Sequence, residues 1–166
     1  IPGTRSGTFS TSVAASTDAG KNGFLYSFGY RWSGERFNFS TSTTATSGDY
    51  RDVATHYGEP PPTLNSNTVI GYSLEAAGNV SLSYLQFRYP HENAVRYANA
   101  SWFKSITDNI SLSAGFNQNI DDNRDRSLYL MVTMTTDNNL SASSTLQRTN
   151  DETGYQLNAS LTPPAD

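Results

Sequence analysis

Cysteine is absent from this chain, and charged residues are scarce. Without cysteine there is no disulfide framework, no thiol nucleophile and no thiolate metal site. Charged residues make up 16% of the sequence, whereas soluble globular domains carry about a quarter. No apolar run approaches the roughly 20 residues that a membrane-spanning helix needs, and the mean hydropathy is −0.55. These absences exclude disulfide-stapled folds and helical membrane proteins.

The net charge and the length further limit the partners and the number of domains that the sequence predicts. The formal net charge is −4, which argues against a general nucleic-acid surface, so no nucleic-acid partner is predicted. The length predicts a single domain over residues 1–166. The chain starts at Ile1-Pro2 without an initiating methionine or a signal sequence. We therefore expect a mature or excised piece of a longer protein.

The sequence does contain a two-residue alternation, which is clearest over residues 24–32. Successive side chains on a β-strand point to opposite faces, so this segment predicts one aromatic face and one small or polar face. The aromatic positions alternate with small or polar ones: Phe24, Tyr26, Phe28, Tyr30 and Trp32 against Ser27, Gly29 and Arg31. An aromatic band opposite a Ser- and Gly-rich face is typical of a strand between lipid and a wet lumen.

The same rhythm continues along most of the chain. We predict that the apolar positions face outward, to lipid: Phe24, Tyr26, Phe28, Tyr30, Phe37, Phe39, Leu112, Leu128, Leu130, Tyr155 and Leu157. The alternation is less regular around residues 79–89, where Val80, Leu82 and Tyr84 lie on one parity and Leu85 and Phe87 on the other. This change of parity predicts a bulge or a strand covered on both faces.

The opposite parity predicts the lining of a pore. The candidate pore-lining residues carry mainly hydroxyl and amide groups: Ser27, Arg31, Ser40, Ser73, Glu75, Ser111, Ser113, Asn117 and Asn158. Such a wall is hydrated and weakly adhesive. It suits the passage of a folded protein and a passive solute pore equally well.

About ten strands are predicted, near residues 7–17, 22–33, 36–47, 63–76, 79–89, 92–105, 109–120, 125–136, 140–149 and 153–162. Short turns at 33–35, 76–78, 107–109 and 137–139 alternate with longer links at 47–63, 88–93, 120–125 and 149–153. This alternation is typical of antiparallel up-and-down transmembrane β-barrels. The fold class predicted is therefore an all-β barrel, or ten strands of a larger barrel that close on themselves.

Two segments resemble a known family. Residues 29–39 (Gly-Tyr-Arg-Trp-Ser-Gly-Glu-Arg-Phe-Asn-Phe) and 47–58 (Ser-Gly-Asp-Tyr-Arg-Asp-Val-Ala-Thr-His-Tyr-Gly) are similar to the barrel region of fimbrial outer-membrane ushers. The later segments 71–74, 78–84 and 121–130 resemble usher barrel strands as well. The resemblance covers about residues 22–162, and its most distinctive part is Ser47-Gly-Asp-Tyr-Arg-Asp52.

The resemblance implies an internal piece of the translocation barrel of the chaperone–usher pathway. Its location would be the bacterial outer membrane, and its partners would be outer-membrane lipid and, within a whole usher, fimbrial subunit–chaperone complexes. No catalysis and no cofactor are implied. The sequence contains no phosphate-binding glycine loop, and the Asp121–Asp125 segment lacks the sixth-position glycine and distal glutamate of a calcium loop.

The long link over residues 48–62 is the best candidate for a local function. Asp49, Tyr50, Arg51 and Asp52 alternate in charge around an aromatic ring, and three prolines stiffen the return. We predict an extracellular loop that folds against the barrel mouth, with Arg51 paired to Asp49, Asp52 or Glu75. Two alternatives to the usher segment stay open: a small autonomous porin-like channel and a secreted carbohydrate-binding β-sandwich.

Overall fold

A computed structural model of the chain describes residues 7–18, 20–50, 61–136 and 140–161. These residues form ten β-strands and one short 3-10 turn, so the predicted all-β class is confirmed. The strands are β1 (Thr8–Asp18), β2 (Lys21–Ser33), β3 (Phe37–Gly48), β4 (Leu64–Ser73), β5 (Asn79–Arg88), β6 (Val95–Ser105), β7 (Ile110–Asn119), β8 (Arg126–Thr135), β9 (Leu140–Thr149) and β10 (Glu152–Leu161).

The strands follow one another in a single antiparallel sheet in the order β1 to β10. This is the up-and-down connectivity that the short hairpin links predict. Closure of the ten strands on themselves is not observed, because β1 and β10 are the two edges of the sheet and do not pair with each other in the part of the chain that is described. Among the same residues, no helix has both the length and the apolar character needed to cross a membrane.

Contacts divide the chain into two compact units. Unit 1 comprises residues 1–70 and 83–97, and unit 2 comprises residues 71–82 and 98–166. Unit 1 therefore contains β1, β2 and β3 with parts of the next three strands, and unit 2 contains the remainder of those strands with β7 to β10. The expectation of one domain stays a prediction.

One predicted link differs from the structure. Residues 149–153 were expected to form a longer link, but only Asn150 and Asp151 separate β9 from β10. Asn150 has a φ of 55°, and asparagine is one of the few residues that adopt this left-handed conformation readily. A two-residue hairpin turn is therefore sufficient, and Glu152 pairs directly with Thr149.

Neither unit has a buried apolar core within the described residues. No large hydrophobic side chain is buried there, and the buried positions are the glycines Gly23, Gly71, Gly78 and Gly115. The most exposed large hydrophobic residues lie on the two edge strands, where Phe9 is 69% and Tyr155 is 68% exposed. Along β5, residues 83–87 are half-buried irrespective of parity, and the choice between a bulge and a strand covered on both faces stays open.

Candidate functional site

The hydroxyl-rich surface of unit 1, here called polar face 1, extends over three strands. Its positions follow from the paired registers, in which Ser27 lies opposite Ser12 and Thr44, and Arg31 lies opposite Thr8 and Ser40. The Oγ of Ser27 is 3.1 Å from the Oγ1 of Thr44, so neighbouring hydroxyl groups satisfy each other. Three predicted lining residues, Ser27, Arg31 and Ser40, therefore share one surface.

A depression of about 440 Å³ lies on polar face 1 beside Arg31. Gly29 shapes it, because a Cβ at this position would lie 2.5 Å from the Oγ of Ser10. The lining is formed by Thr8, Ser10, Gly29, Tyr30, Arg31, Ser40, Thr41, Ser42 and Asn67. Arg31 is thus an exposed cation surrounded by hydroxyl and amide groups, which is an arrangement that suits a hydrated wall.

The first residues of the predicted extracellular loop lie against β2. The backbone of Tyr50 covers Gly23 so closely that a Cβ there would collide with it. The backbone N–H of Asp49 donates to the carbonyl oxygen of Asn22 at 3.3 Å. Gly23 belongs to polar face 1, since it alternates with Ser27 and Arg31 on the same strand. The described start of the loop therefore lies over polar face 1.

The Asp49 carboxylate has an ion partner that the sequence did not single out. Its Oδ1 is 3.7 Å from the Nζ of Lys21, and the two side chains are 62% and 68% exposed. An exposed pair of this kind contributes about 0–1 kcal/mol. Arg51 and Asp52 lie outside the described residues, so the predicted pairing of Arg51 stays a prediction.

In unit 2 the register again separates two surfaces. The hydroxyl and amide side chains form polar face 2, which includes four predicted lining residues: Ser111, Ser113, Asn117 and Asn158. Ser111 lies opposite Thr133, and Asn158 lies opposite Ser143. Tyr129 also points to this face, because it lies opposite Gly115 and Gln147.

Tyr129 is the one large aromatic residue that the registered pairs place on polar face 2. Its ring covers Gly115 so closely that a Cβ at residue 115 would collide with it. On either side of Gly115, the Oγ of Ser113 and the Oδ1 of Asn117 are buried without a hydrogen-bond partner in the protein. The sequence missed this arrangement because it depends on the β7–β8 register.

The two remaining predicted lining residues lie at the end of β4. Ser73 is the last residue of that strand, and Glu75 lies beyond it, in the 3-10 turn Glu75–Ala77 with a φ of 53°. The predicted strand over residues 63–76 was therefore too long at its end. Gly78 closes the turn: its carbonyl oxygen accepts a hydrogen bond from the Leu74 N–H, and its own N–H donates to the Glu75 carbonyl oxygen. Leu74 lies between the end of β4 and this turn. Glu75 thus belongs to a turn and not to a strand wall.

The opposite surfaces, here called apolar face 1 and apolar face 2, carry the residues predicted to point outward. In unit 1 the registered pairs put Phe9 opposite Tyr30 and Trp32 opposite Phe39. In unit 2 they put Leu112 opposite Val132, and Leu130 opposite both Ala114 and Leu146. Phe24, Tyr26, Phe28, Leu128, Leu130, Tyr155 and Leu157 are all exposed.

No group of three or more His, Asp or Glu side chains in the described ranges is arranged to hold a metal ion. His91, with a φ of 65°, lies in the link between β5 and β6, and His56 lies outside those ranges. No protein-family model, no curated protein and no solved structure matches the chain.

Proposed function

We propose that this chain is a wall segment of an outer-membrane β-barrel and forms part of the conduit of a fimbrial usher. It would translocate pilus subunits without catalysis, in contact with outer-membrane lipid and with subunit–chaperone complexes. One observation carries the proposal: in both units, the registered strands keep most large apolar positions on one surface and most hydroxyl and amide positions on the other, with Leu25, Tyr129 and Met131 as exceptions on the polar faces.

The exposed hydrophobic residues need an apolar environment. Removal of apolar surface from water contributes roughly 25 cal/mol per Å², and the described residues bury no large hydrophobic side chain. A β-sandwich would bury one face of each sheet in a shared core. The described residues contain no such buried apolar face. Lipid around the apolar faces would supply the missing burial.

Several hydroxyl groups on the apolar faces are paired with one another. On apolar face 1, the hydroxyl oxygens of Thr41 and Thr68 are 2.9 Å apart, and those of Thr43 and Ser66 are also 2.9 Å apart. On apolar face 2, the Ser144 hydroxyl donates to the Tyr155 hydroxyl at 2.9 Å. Unpaired polar groups are costly in hydrocarbon. These pairs are what a lipid-facing surface requires.

Tryptophans lie beside short turns. Trp32 is next to the end of β2 and contacts Phe37 across the turn, with ring centroids 5.4 Å apart. The Trp102 Nε1–H donates to the carbonyl oxygen of Ala77, in the turn before β5, at 2.8 Å. Tryptophan is enriched where a membrane meets water, so these turns fit the headgroup level of a bilayer.

The usher assignment is supported by the resemblance of residues 29–39 and 47–58 to usher barrels. The polar faces support a conduit, because their small hydroxyl and amide groups offer few strong contacts to a passing protein. Asp49 and Tyr50 lie over Gly23 on polar face 1, and this supports a loop that begins on the side proposed to be the conduit wall.

Three measurements test the proposal. The chain should require detergent or lipid to stay in solution, and it should raise the conductance of planar bilayers when it is reconstituted with them. Deletion of this segment from the protein that contains it should abolish export of pilus subunits. A chain that is monomeric in plain buffer would contradict the membrane assignment. Conductance without any effect on export would favour the autonomous porin-like channel.

A further inference from the structure

Two arginines lie at one end of apolar face 2. Arg126 is the first residue of β8, and Arg148 precedes the last residue of β9. Because Leu128 pairs with Arg148, the two arginines are diagonal neighbours on the same face. Such neighbours lie roughly 7–8 Å apart, which is within reach of long side chains. Two cations therefore occupy the margin of a surface that is mainly apolar.

A depression of about 230 Å³ lies between these arginines. Its polar lining comes from Arg126, Ser127, Arg148 and Asn150, and its apolar lining comes from Phe116 and Leu128. All of these residues belong to unit 2. The depression thus places positive charge beside an apolar wall. This combination is complementary to an anionic amphiphile, which has a negatively charged head and an apolar tail.

The backbone fixes the spacing of the two arginines. The Oδ1 of Asn150 accepts a hydrogen bond from the Arg126 N–H at 3.0 Å, and the Asn150 N–H donates to the Arg126 carbonyl oxygen at 2.8 Å. The two-residue turn Asn150–Asp151 is therefore tied to the start of β8. A ligand that bridges the arginines would meet a preorganised pair, which lowers the entropic cost of binding.

The existing contacts leave the positive charge largely unneutralised. The Arg148 Nη2 is 4.0 Å from the Asp151 Oδ1, and these side chains are 60% and 99% exposed. The Arg148 Nε–H donates to the Asn150 carbonyl oxygen at 3.4 Å. Arg126 forms no ion pair with another residue of the described part of the chain. Adjacent like charges destabilise each other, so an anion between them is favoured.

Phosphate fits this pair better than a carboxylate does, because its three terminal oxygens can accept hydrogen bonds from two guanidinium groups at once. The apolar wall continues away from the arginines along Leu128, Leu130 and Leu146, which are 54%, 47% and 49% exposed. A free phosphate would leave this wall in water. An acyl chain attached to the phosphate would cover it.

We propose that the depression between Arg126 and Arg148 binds the phosphate of an anionic lipid, whose acyl chain lies along Leu128, Leu130 and Leu146. The lipid part of this proposal rests on the proposed membrane function, and the phosphate part does not. The chain would then select anionic phospholipids over zwitterionic ones at this end of its strands, beyond the general contact of a barrel wall with a bilayer.

The test measures binding to the full chain in non-ionic detergent by native mass spectrometry. The probes are dihexanoyl phosphatidic acid, dihexanoyl phosphatidylcholine and inorganic phosphate. We expect phosphatidic acid to bind about tenfold more tightly than phosphatidylcholine, since loss of one charge-assisted hydrogen bond corresponds to about a tenfold change in affinity. We expect a similar margin, about tenfold, over inorganic phosphate, since burial of about two methylene groups of the acyl chains corresponds to a change of that size. Equal binding of phosphatidic acid and phosphatidylcholine would refute the headgroup contact. Equal binding of inorganic phosphate would refute the acyl track.

Variants separate this site from diffuse charge. The double variant Arg126→Gln/Arg148→Gln should weaken phosphatidic acid binding about tenfold. The matched control Arg88→Gln/Arg124→Gln removes the same charge outside the depression and should change binding less than about twofold. A double Arg→Lys variant should fall between wild type and the glutamine variant, because lysine keeps the charge but loses the bidentate geometry. Equal losses in both glutamine variants would overturn the proposal.

Folding and membrane insertion are checked separately. Each variant is compared with the wild type by far-ultraviolet circular dichroism, and if the double variant does not fold, the single variants Arg126→Gln and Arg148→Gln take its place. Dihexanoyl phosphatidic acid dissolves as a monomer, so the titration can be repeated in plain buffer if the chain proves soluble there. Solubility without detergent would then refute the membrane function, while arginine-dependent binding would still support the phosphate site.

Discussion

The ring of Tyr129 on β8 covers the Cα of Gly115 on β7, directly across the strand pair. Glycine is required here because any side chain would enter the space that the ring occupies. The ring lies on polar face 2 between Ser113 and Asn117, whose Oγ and Oδ1 atoms are buried.

Gly115→Ala should destabilise the protein by about 1–3 kcal/mol, because the added methyl group must displace the Tyr129 ring or the backbone. Denaturant unfolding in lipid vesicles measures the effect. Gly154→Ala is the matched control on the same face, since the atom nearest to its Cβ is the Gln147 carbonyl oxygen at 4.0 Å. Equal changes at the two positions would show that glycine flexibility, and not the ring, sets the cost.

Arginine at Leu130 should cost about 2–4 kcal/mol if apolar face 2 faces the middle of a bilayer. Asn158→Arg on polar face 2 should cost far less, because water reaches the new charge there. Both free energies of unfolding are measured in the same vesicles. Similar costs on the two faces would argue against a boundary between lipid and lumen.

The hydrogen bond between Ser144 and Tyr155 should couple the two residues by about 0.5–1.5 kcal/mol. Ser144→Ala, Tyr155→Phe and the combined variant form a double-mutant cycle that isolates this term. A coupling energy near zero in vesicles would mean that the 2.9 Å contact between the hydroxyl groups does not stabilise the fold. Ser143→Ala, on polar face 2, is the control without this partner.

Arg31→Glu should raise the permeability of the reconstituted chain to cations over anions. The reason is that it reverses the charge beside the 440 Å³ depression on polar face 1. The shift of reversal potential in a salt gradient measures this selectivity. Arg124→Glu makes the same charge change in the link between β7 and β8 and should have a smaller effect. An unchanged reversal potential for both variants would place Arg31 outside the ion path.

Gly23→Ala should displace the start of the loop, because the new Cβ would collide with the Tyr50 backbone. We expect altered conductance or gating noise with ordinary strand content by circular dichroism. Asp49→Asn serves as the companion variant: losing the exposed pair with Lys21 should cost at most about 1 kcal/mol. If neither variant changes the conductance, the loop acts only as a connector.

Much of this fold could be predicted from alternation alone. The strand containing Phe24 and Trp32 has a period of two that no helix would produce, and its neighbours repeat the pattern, so strand number and facing follow directly. The end of β4 was missed because Ser73, Glu75 and Ala77 continue the alternation into a turn. The short β9–β10 turn could not be predicted from the alternation. It depends on the left-handed backbone conformation of Asn150, and the pattern of side chains does not indicate that conformation.

The site was harder to predict than the fold. Ser27 and Asn158 could be placed on their faces by parity, which requires no knowledge of neighbouring strands. The proximity of Tyr129 to Gly115, and of Arg126 to Arg148, depends on register between strands. Register is a property of pairs of segments, and a single sequence contains no direct measure of it.

The hydroxyl pairs on apolar face 1 favour one register between β3 and β4. Alternation alone cannot detect a slip of two residues, because such a slip returns every side chain to its original face. Between β3 and β4, however, Thr41 contacts Thr68 and Thr43 contacts Ser66. A two-residue slip in either direction would leave two of these hydroxyl groups opposite carbon.

One slip would bring Thr43 to Leu64 and Thr68 to Phe39, and the other would bring Thr41 to Ile70 and Ser66 to Ala45. Each stranded hydroxyl group costs about 1–3 kcal/mol where no water can reach it. In water the error would cost little, because solvent would satisfy the exposed groups. A misaligned register would therefore be destabilised most in lipid. The four hydroxyl-bearing side chains on this mainly apolar surface would cause that destabilisation.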